Sequence, residues 1–251
     1  MIKVILSGCG GRMGKAVAAA VGNEARIVAG VDINAASIDA SDFPIYESIT
    51  EFSDKADVIV DFSHHSALPS LLDYAKATKT PVVVATTGHT NEELALMREA
   101  AKSVAIFHSG NFSIGINLII NLAKQAARTL GADFDIEIIE KHHNKKLDAP
   151  SGTALMIANA VADEREESEY IYDRHSVRKA REPKEIGIHS VRVGSIVGEH
   201  EVIFAGANEV VSISHSAASR EIFANGALRA AIYLSGKSAG LYSMTDLIEG
   251  K

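Results

Sequence analysis

"IKVILSGCGGRMGKAVAAAV" spans residues 2–21. Residues 2–8 are a short β-branched apolar run ending in glycine, the pattern of a buried strand. Residues 12–21 use helix-forming side chains. Between them Gly8, Gly10, Gly11 and Gly14 crowd a single turn. Strand, glycine turn and helix in this order suit a dinucleotide. The glycines permit the tight turn and let a pyrophosphate approach main-chain N–H groups at a helix N-terminus. The strict G-x-G-x-x-G spacing is met by Gly8 and Gly10, but Met13 holds the third glycine's place. The loop also reads as G-x-x-G-x-x-G through Gly8, Gly11 and Gly14. Alone, such a loop is equally an ordinary tight turn. Asp32 strengthens the dinucleotide reading. It ends the next strand-like run, "ARIVAGVD", 18 residues after Gly14, where a carboxylate would take an adenine-ribose hydroxyl. Asp32 would repel a 2′-phosphate, and Ile33 brings no positive charge beside it. Arg12 could still pair with a phosphate. NADH preferred, with NADPH tolerated, is the expectation.

The same alternation continues outward. "ADVIVDFS" (56–63), "PVVVATTG" (81–88) and "VAIFHSG" (104–110) read as strands. "SALPSLLDYAKATK" and "NEELALMREAAKS" read as helices, the second with Asn91 as its cap. Strands and helices alternating at this spacing imply a parallel sheet. After Asn111 and Phe112 the pattern changes. "IGINLIINLAKQAARTL" is a long amphipathic helix, and "FDIEIIEKHH" alternates with period two through Phe134, Ile136 and Ile138. Residues 189–217 hold three strand-like runs, with turns near Gly198 and at Ala207-Asn208. Short connections between them imply an antiparallel or mixed sheet. "REIFANGALRAAIYLSG" closes the chain as a helix with Ser219 as candidate cap. The charged stretch 163–185 is expected to be a surface excursion. The expected fold is α/β: a Rossmann-type parallel-sheet dinucleotide-binding domain (1–112 and 220–251) plus an α+β domain with an open mixed sheet (113–219), with hinges near 112 and 219.

The bulk properties narrow the function. At 251 residues the chain can bury a sizeable core. Its net charge of −7 gives no reason to expect a nucleic-acid partner. One cysteine, Cys9, leaves no disulfide within the chain, and no apolar stretch approaches the roughly 20 residues of a membrane span. The first ten residues have no signal-peptide layout. A cytoplasmic protein is expected.

"EKHHNKKLDAPSGTA", residues 140–154, is the most polar cluster after an apolar run. Three readings compete. A metal site is disfavoured, because adjacent His142 and His143 on a strand point in opposite directions and no cysteine is near. A lysine-rich solvated turn before a capped helix is the plain reading. The third is an anion pocket with general-acid groups. Ser151 is a good cap, and Gly152 and Thr153 would open a helix with free N–H groups suited to a carboxylate. Lysine and histidine add charge and a transferable proton. The third reading fits the segment best.

With these residues in place, the chain resembles the 4-hydroxy-tetrahydrodipicolinate reductase (dihydrodipicolinate reductase) family over essentially its full length. The resemblance rests on "GCGGRMG", "DFS", "ATTG", "SGNFSIGIN", "EKHHNKKLDAPSGTA", "GSIVGEHEVIF" and "SREIFANGALRAAIYLSGKSAGLY", in the family's order. It implies that His142 is the catalytic histidine and Lys146 the general acid. It implies that His143, Gly152 and Thr153 hold substrate. Gly8, Cys9, Gly10, Gly11, Arg12 and Met13 would form the pyrophosphate loop, with Asp32 at the ribose and Phe62 near the nicotinamide. Ala85, Thr86 and Thr87, then Ser109, Gly110, Asn111 and Phe112, would be the remaining cofactor stretches. His64 departs from the positive residue some members carry there, which puts phosphate contacts at that place in doubt. A homotetramer is implied too, with no metal.

The implied reaction reduces a cyclic imine bearing two carboxylates, in the diaminopimelate route to lysine. His89, His108, His175, His189, His200 and His215 read as structural or surface residues, and Asp148 as a turn former. Cys9 reads as a small loop residue, and Arg220 as an ion-pair partner or a substrate contact. Two other functions compete with the reductase: a dinucleotide-sensing binding protein on the same fold, and a related amino-acid dehydrogenase. The first would have no need of His142 and Lys146. The second has no reason to carry "HHNKKLDAPSGTA".

Overall fold

The computed structural model describes residues 1–38 and 42–250. The chain divides into two compact units: Met1–Ile114 with the segment from Arg220 onward, and Gly115–Ser219. In chain order the elements are β1 (Ile2–Ser7), α1 (Arg12–Ala20), β2 (Ala25–Val31), β3 (Ile45–Tyr46), β4 (Val58–Asp61), α2 (Leu68–Thr78), β5 (Val82–Val84), α3 (Asn91–Ala100) and β6 (Ala105–His108). Next come α4 (Ile114–Leu130), β7 (Asp135–His142), α5 (Gly152–Ala162), β8 (Glu169–Ile171), β9 (Glu185–Arg192), β10 (Gly198–Ala205) and β11 (Val210–Ala217). The chain ends with α6 (Glu221–Leu234), β12 (Gly240–Tyr242) and α7 (Met244–Glu249).

The first unit is a seven-stranded sheet in the order β12-β6-β5-β4-β1-β2-β3, with every pairing parallel. The order reverses at β1, which has β2 on one side and β4 on the other. That switch point is where doubly wound sheets open a crevice for a nucleotide. Alternate residues of each strand feed two cores. Val4, Leu6, Val58, Val60 and Phe107 pack with α1 and α6 on one face. Ile5, Ile59, Val82, Val84 and Ile106 pack with α2 and α3 on the other. Burial on both faces is why these strands read as unbroken apolar runs. Helix α6 presents Ala224, Gly226, Ala227 and Ala231 to its core, and a Cβ on Gly226 would lie 1.7 Å from the Phe112 carbonyl oxygen. Only glycine allows that approach.

The second unit is a five-stranded mixed sheet, β11-β10-β7-β9-β8. β10 is antiparallel to both β7 and β11, while β9 is parallel to β7 and β8. One face is covered by α4 and α5, and Ile136, Ile138, Ile186, Ile188, Val202 and Phe204 fill the space between.

Several expectations need correction. Thr90, not Asn91, caps α3: its hydroxyl accepts the Glu93 N–H, and the Glu93 carboxylate accepts the Thr90 N–H. Asn91 is the first helical residue. Arg220 holds the N-cap position of α6 without a side-chain cap. The chain does not close with that helix, because β12 adds a parallel edge strand beside β6 before α7. The turn expected near Gly198 falls at residues 194–195, and Gly198 itself starts β10. The 163–185 stretch is more than an excursion. It holds β8, and Arg174 bridges Glu137 and Glu185, the latter fully buried. Of the predicted 220–251 segment, Lys251 lies outside the described residues.

Candidate active site

All the candidate cofactor residues leave the first sheet at the carboxyl ends of its strands. Gly8 follows β1 with φ +76°, and a Cβ there would meet the Phe62 carbonyl oxygen at 2.5 Å. The tight turn and the close approach both require glycine. A Cβ on Gly14 would lie 2.2 Å from the Gly8 oxygen, so the first turn of α1 presses directly on the loop. The helix starts at Arg12, with Gly11 in the N-cap position. Its first N–H groups have no intrahelical acceptor and suit a phosphate. Arg12 is exposed, Met13 packs partly into the core, and Cys9 is buried with its sulfur against Gly30. Burial, and then the charge of Asp32, raise the Cys9 thiol pKa.

Asp32 holds the loop from the side. One carboxylate oxygen accepts the Gly10 N–H and the other the Asn34 N–H, both at 3.0 Å. A cleft of about 450 Å³ opens here, lined among others by Gly8, Gly11, Asp32, Glu47, Phe62 and His64. Its described lining has two acids and no lysine or arginine. Ala85, Thr86 and Thr87 follow β5, and Ser109, Gly110, Asn111 and Phe112 follow β6, one and two strands beyond β4 along the same edge. Thr86 donates to Asp61 at 2.7 Å, and the Ser109 hydroxyl closes a turn on Asn111. The Phe112 ring is core, beside Phe62 and Phe107. Asp61, absent from the sequence candidates, is buried and accepts from Ser63 and Thr86. An acid ending the apolar "VIV" run was the signal for it. A buried carboxylate needs donors.

The second unit builds its site from strand alternation. The inward positions of β7 run Ile136, Ile138, Glu140, His142. The first two fill the core, and the next two carry its polar end. Glu140 is fully buried. One of its oxygens takes the His142 Nδ1–H at 2.5 Å and the other the Ser151 N–H at 3.0 Å. Arg192, opposite His142 on β9, spans both oxygens at 2.7 Å and also donates to the Asp148 carbonyl at 2.7 Å. Burial alone would raise the Glu140 pKa; the hydrogen bonds from Arg192, His142, Ser190 and Ser151 outweigh it and lower it to about 2. Burial depresses the His142 pKa, with Glu140 opposing that shift.

Ser151 caps α5, its hydroxyl accepting the Ala154 N–H at 3.1 Å. The same hydroxyl meets His200 Nε2 at 3.2 Å. The His200 ring lies edge-on to His142, with centroids 5.2 Å apart. Burial first, and then the neighbouring His142, lower the His200 pKa to about 4. Lys146 pairs with Asp148 at 2.8 Å, which depresses the Asp148 pKa. His143 Nδ1 is buried without a hydrogen-bond partner. Gly152 and Thr153 form the first turn of α5.

The structure thus gathers His142, His143, Lys146, Gly152 and Thr153 around one strand end and one helix start. Sequence reading missed Glu140, Arg192 and His200. Glu140 was detectable as a carboxylate continuing the inward period. Arg192 lies on another strand and had no local signal. His200, read as structural or surface, is buried and meets the Ser151 hydroxyl, and Asp148 does more than form the turn, since it holds Lys146. Among the described residues no group of three or more His, Cys, Asp or Glu side chains is placed to hold a metal ion. No described helix is long and apolar enough to cross a membrane.

Residues 2–112 match the family model described as dihydrodipicolinate reductase, N-terminus, and residues 115–248 the one described as dihydrodipicolinate reductase, C-terminus. The chain is 54% identical over 252 residues to a 4-hydroxy-tetrahydrodipicolinate reductase of Caldanaerobacter subterraneus subsp. tengcongensis, covering 99% of each chain. It is 52% identical over 254 residues to one from Clostridium novyi, covering all of both. A solved structure, dipicolinate-bound dihydrodipicolinate reductase from Paenisporosarcina sp. TG-14, matches with a TM-score of 0.79 and 26% identity over 97% of both chains.

Proposed function

The chain belongs to the dihydrodipicolinate reductase family, and from that premise we propose how its residues reduce 4-hydroxy-tetrahydrodipicolinate to tetrahydrodipicolinate. The enzyme is an NAD(P)H-dependent oxidoreductase of the diaminopimelate route to lysine. The observation that carries the residue assignment is the meeting of His142, Lys146 and the Ser151-capped start of α5 at the end of β7.

The glycine loop and Asp32 fit a dinucleotide: the cradle is one that Cβ atoms at Gly8, Gly10 and Gly14 would fill. Residues 8–13 would hold the pyrophosphate and Asp32 the adenine ribose. Phe62, Ala85–Thr87 and Ser109–Phe112 would carry the rest of the cofactor. Two acids and no lysine or arginine around the cleft support a preference for NADH over NADPH. When bound, the nicotinamide supplies the hydride.

The remaining work belongs to the chain. The N–H groups of Gly152 and Thr153, at a helix start, take a substrate carboxylate. His143, with its unpaired Nδ1, adds a polar contact. Loss of the substrate hydroxyl as water leaves a conjugated C=C–C=N system. The ring gains one hydride at the carbon conjugate to the imine and one proton on the resulting enamine. Lys146 and, once protonated on Nε2, His142 are the proton sources, with Lys146 also offsetting carboxylate charge. A cytoplasmic homotetramer is part of this reading, on family resemblance.

The test is NADH oxidation with substrate made in place by the preceding synthase from pyruvate and aspartate semialdehyde. Synthase-dependent oxidation is expected. Folded protein that binds NADH but oxidises neither NADH nor NADPH would overturn the reading.

A further inference from the structure

We propose that Glu140, clamped by Arg192, is the positioning residue of this site: it fixes His142 as the Nδ1–H tautomer, leaves Nε2 for the substrate, and holds that ring in register with the start of α5. The inference rests on the reductase reading only for the identity of the substrate.

Four observations carry it. The carboxylate is acceptor-only when ionised, so the 2.5 Å contact with His142 Nδ1 requires the proton to lie on Nδ1. Arg192 occupies both oxygens, so the carboxylate cannot rotate away. The other oxygen takes the Ser151 N–H, and Ser151 is the cap of α5. One side chain therefore sets both the ring and the backbone donors that follow Ser151. Last, Nε2 lies beside the α-carbon of Gly198, where a Cβ would stand 3.0 Å away. The ring's outer nitrogen needs that space. A carboxylate that orients a histidine through Nδ1 fixes which nitrogen does chemistry.

The groups facing His142 are Glu140 on its own strand, Arg192 on β9, His200 on β10, and Lys146 in the turn. Glu140 is the only one of these that attracts a proton to the ring. Removing its charge should lower the His142 titration point, whereas a purely structural loss would leave that point alone.

Histidine side-chain ¹⁵N NMR of the ligand-free protein tests the tautomer directly. A protonated Nδ1 and a bare Nε2 are expected for His142, assigned by the signal lost in His142→Gln. Glu140→Gln should mix the tautomers, shift the pH profile of kcat to lower pH and reduce kcat about 10²-fold, with KM changed only a few-fold. Should Glu140→Gln fail to fold, Glu140→Gln/Arg192→Met removes both charges together and takes its place. A wild-type ring protonated on Nε2 overturns the proposal, as does a folded Gln variant with unchanged tautomer and pH profile. Absence of turnover in the wild type would instead sink the reductase reading and leave the tautomer result standing.

Discussion

The guanidinium of Arg192 meets both oxygens of the Glu140 carboxylate at 2.7 Å, and Glu140 has no exposed surface. The depressed Glu140 pKa makes this pair a stability element with a defined pH window. Its value falls from the usual 4.5 to about 2 on folding, so the unfolded chain binds more protons between those limits. The contribution is present in full above about 4.5 and is lost as pH falls toward 2. A shift of that size corresponds to roughly 3 kcal/mol. Urea unfolding from pH 6 to 2 should show wild type losing this increment below pH 4.5. Glu140→Gln, already destabilised at pH 6, should show a shallower acid slope.

His200 sets a second, higher window. Burial and the nearby His142 lower its pKa from 6.5 to about 4. A histidine held neutral by the fold contributes stability that is complete above 6.5 and lost as pH falls toward 4, by up to about 3 kcal/mol. His200→Gln removes the titration. Its unfolding free energy should vary less than wild type between pH 6.5 and 4 and should keep the Glu140 slope below that. Identical slopes in the upper window would show that His200 does not titrate differently on folding.

Gly198 separates geometry from stability. A Cβ there would stand 3.0 Å from His142 Nε2 and 3.4 Å from Cδ2, so the ring must yield by a few tenths of an ångström. Gly198→Ala is expected to change unfolding free energy by less than about 1 kcal/mol and to lower kcat roughly ten-fold or more. Steady-state rates beside a denaturant curve measure both. Unchanged kcat would mean the ring has slack.

What the sequence revealed and what it hid follow from the range of each interaction. Strands buried on both faces show as unbroken apolar runs, which is why β1, β2, β4, β5 and β6 were legible. Ser151 was legible because capping is local: its hydroxyl reaches the N–H three residues on. The period of β7 was read as far as Ile138, yet the same period carries on to Glu140 and His142. Their roles depend on Arg192, 52 residues away, and no local pattern encodes that partner. β12 escaped because three half-exposed residues, "GLY", leave no periodicity to read. The Asn91 cap was misplaced by a residue, since adjacent Thr90 and Asn91 are both cap formers and give one signal for two positions.

Asp32 should discriminate between cofactors. Its carboxylate faces a cleft whose described lining has no lysine or arginine. Hydrogen bonds to a charged group are worth about 1.5–3 kcal/mol, so Asp32→Ala should weaken NADH binding by roughly ten-fold or more. NADPH carries a phosphate in place of the 2′-hydroxyl, so it has less of this support to lose and is relieved of repulsion, and its affinity should fall less. Fluorescence titration with both nucleotides measures the ratio. Part of each loss will come from the Gly10 and Asn34 N–H groups that Asp32 now holds, and that part is common to both. Equal losses would remove the ribose assignment.

Lys146 and His142 should separate chemistry from cofactor binding, because they and the glycine loop belong to different units. General acid groups contribute about 10²–10⁴ in rate. Lys146→Ala and His142→Ala should each lower kcat within that range while NADH affinity stays within two-fold. Lys146→Ala frees Asp148, an exposed carboxylate, so little stability is at stake. His142→Ala leaves Glu140 short of one donor but still held by Arg192 and Ser151, and the protein should fold. The double variant then decides whether the two residues act together. If they serve one proton transfer, the combined loss should be smaller than the product of the single losses, since residues acting as a unit are not additive. A full product would assign them to separate steps, and wild-type rates in either single variant would remove that residue from the mechanism.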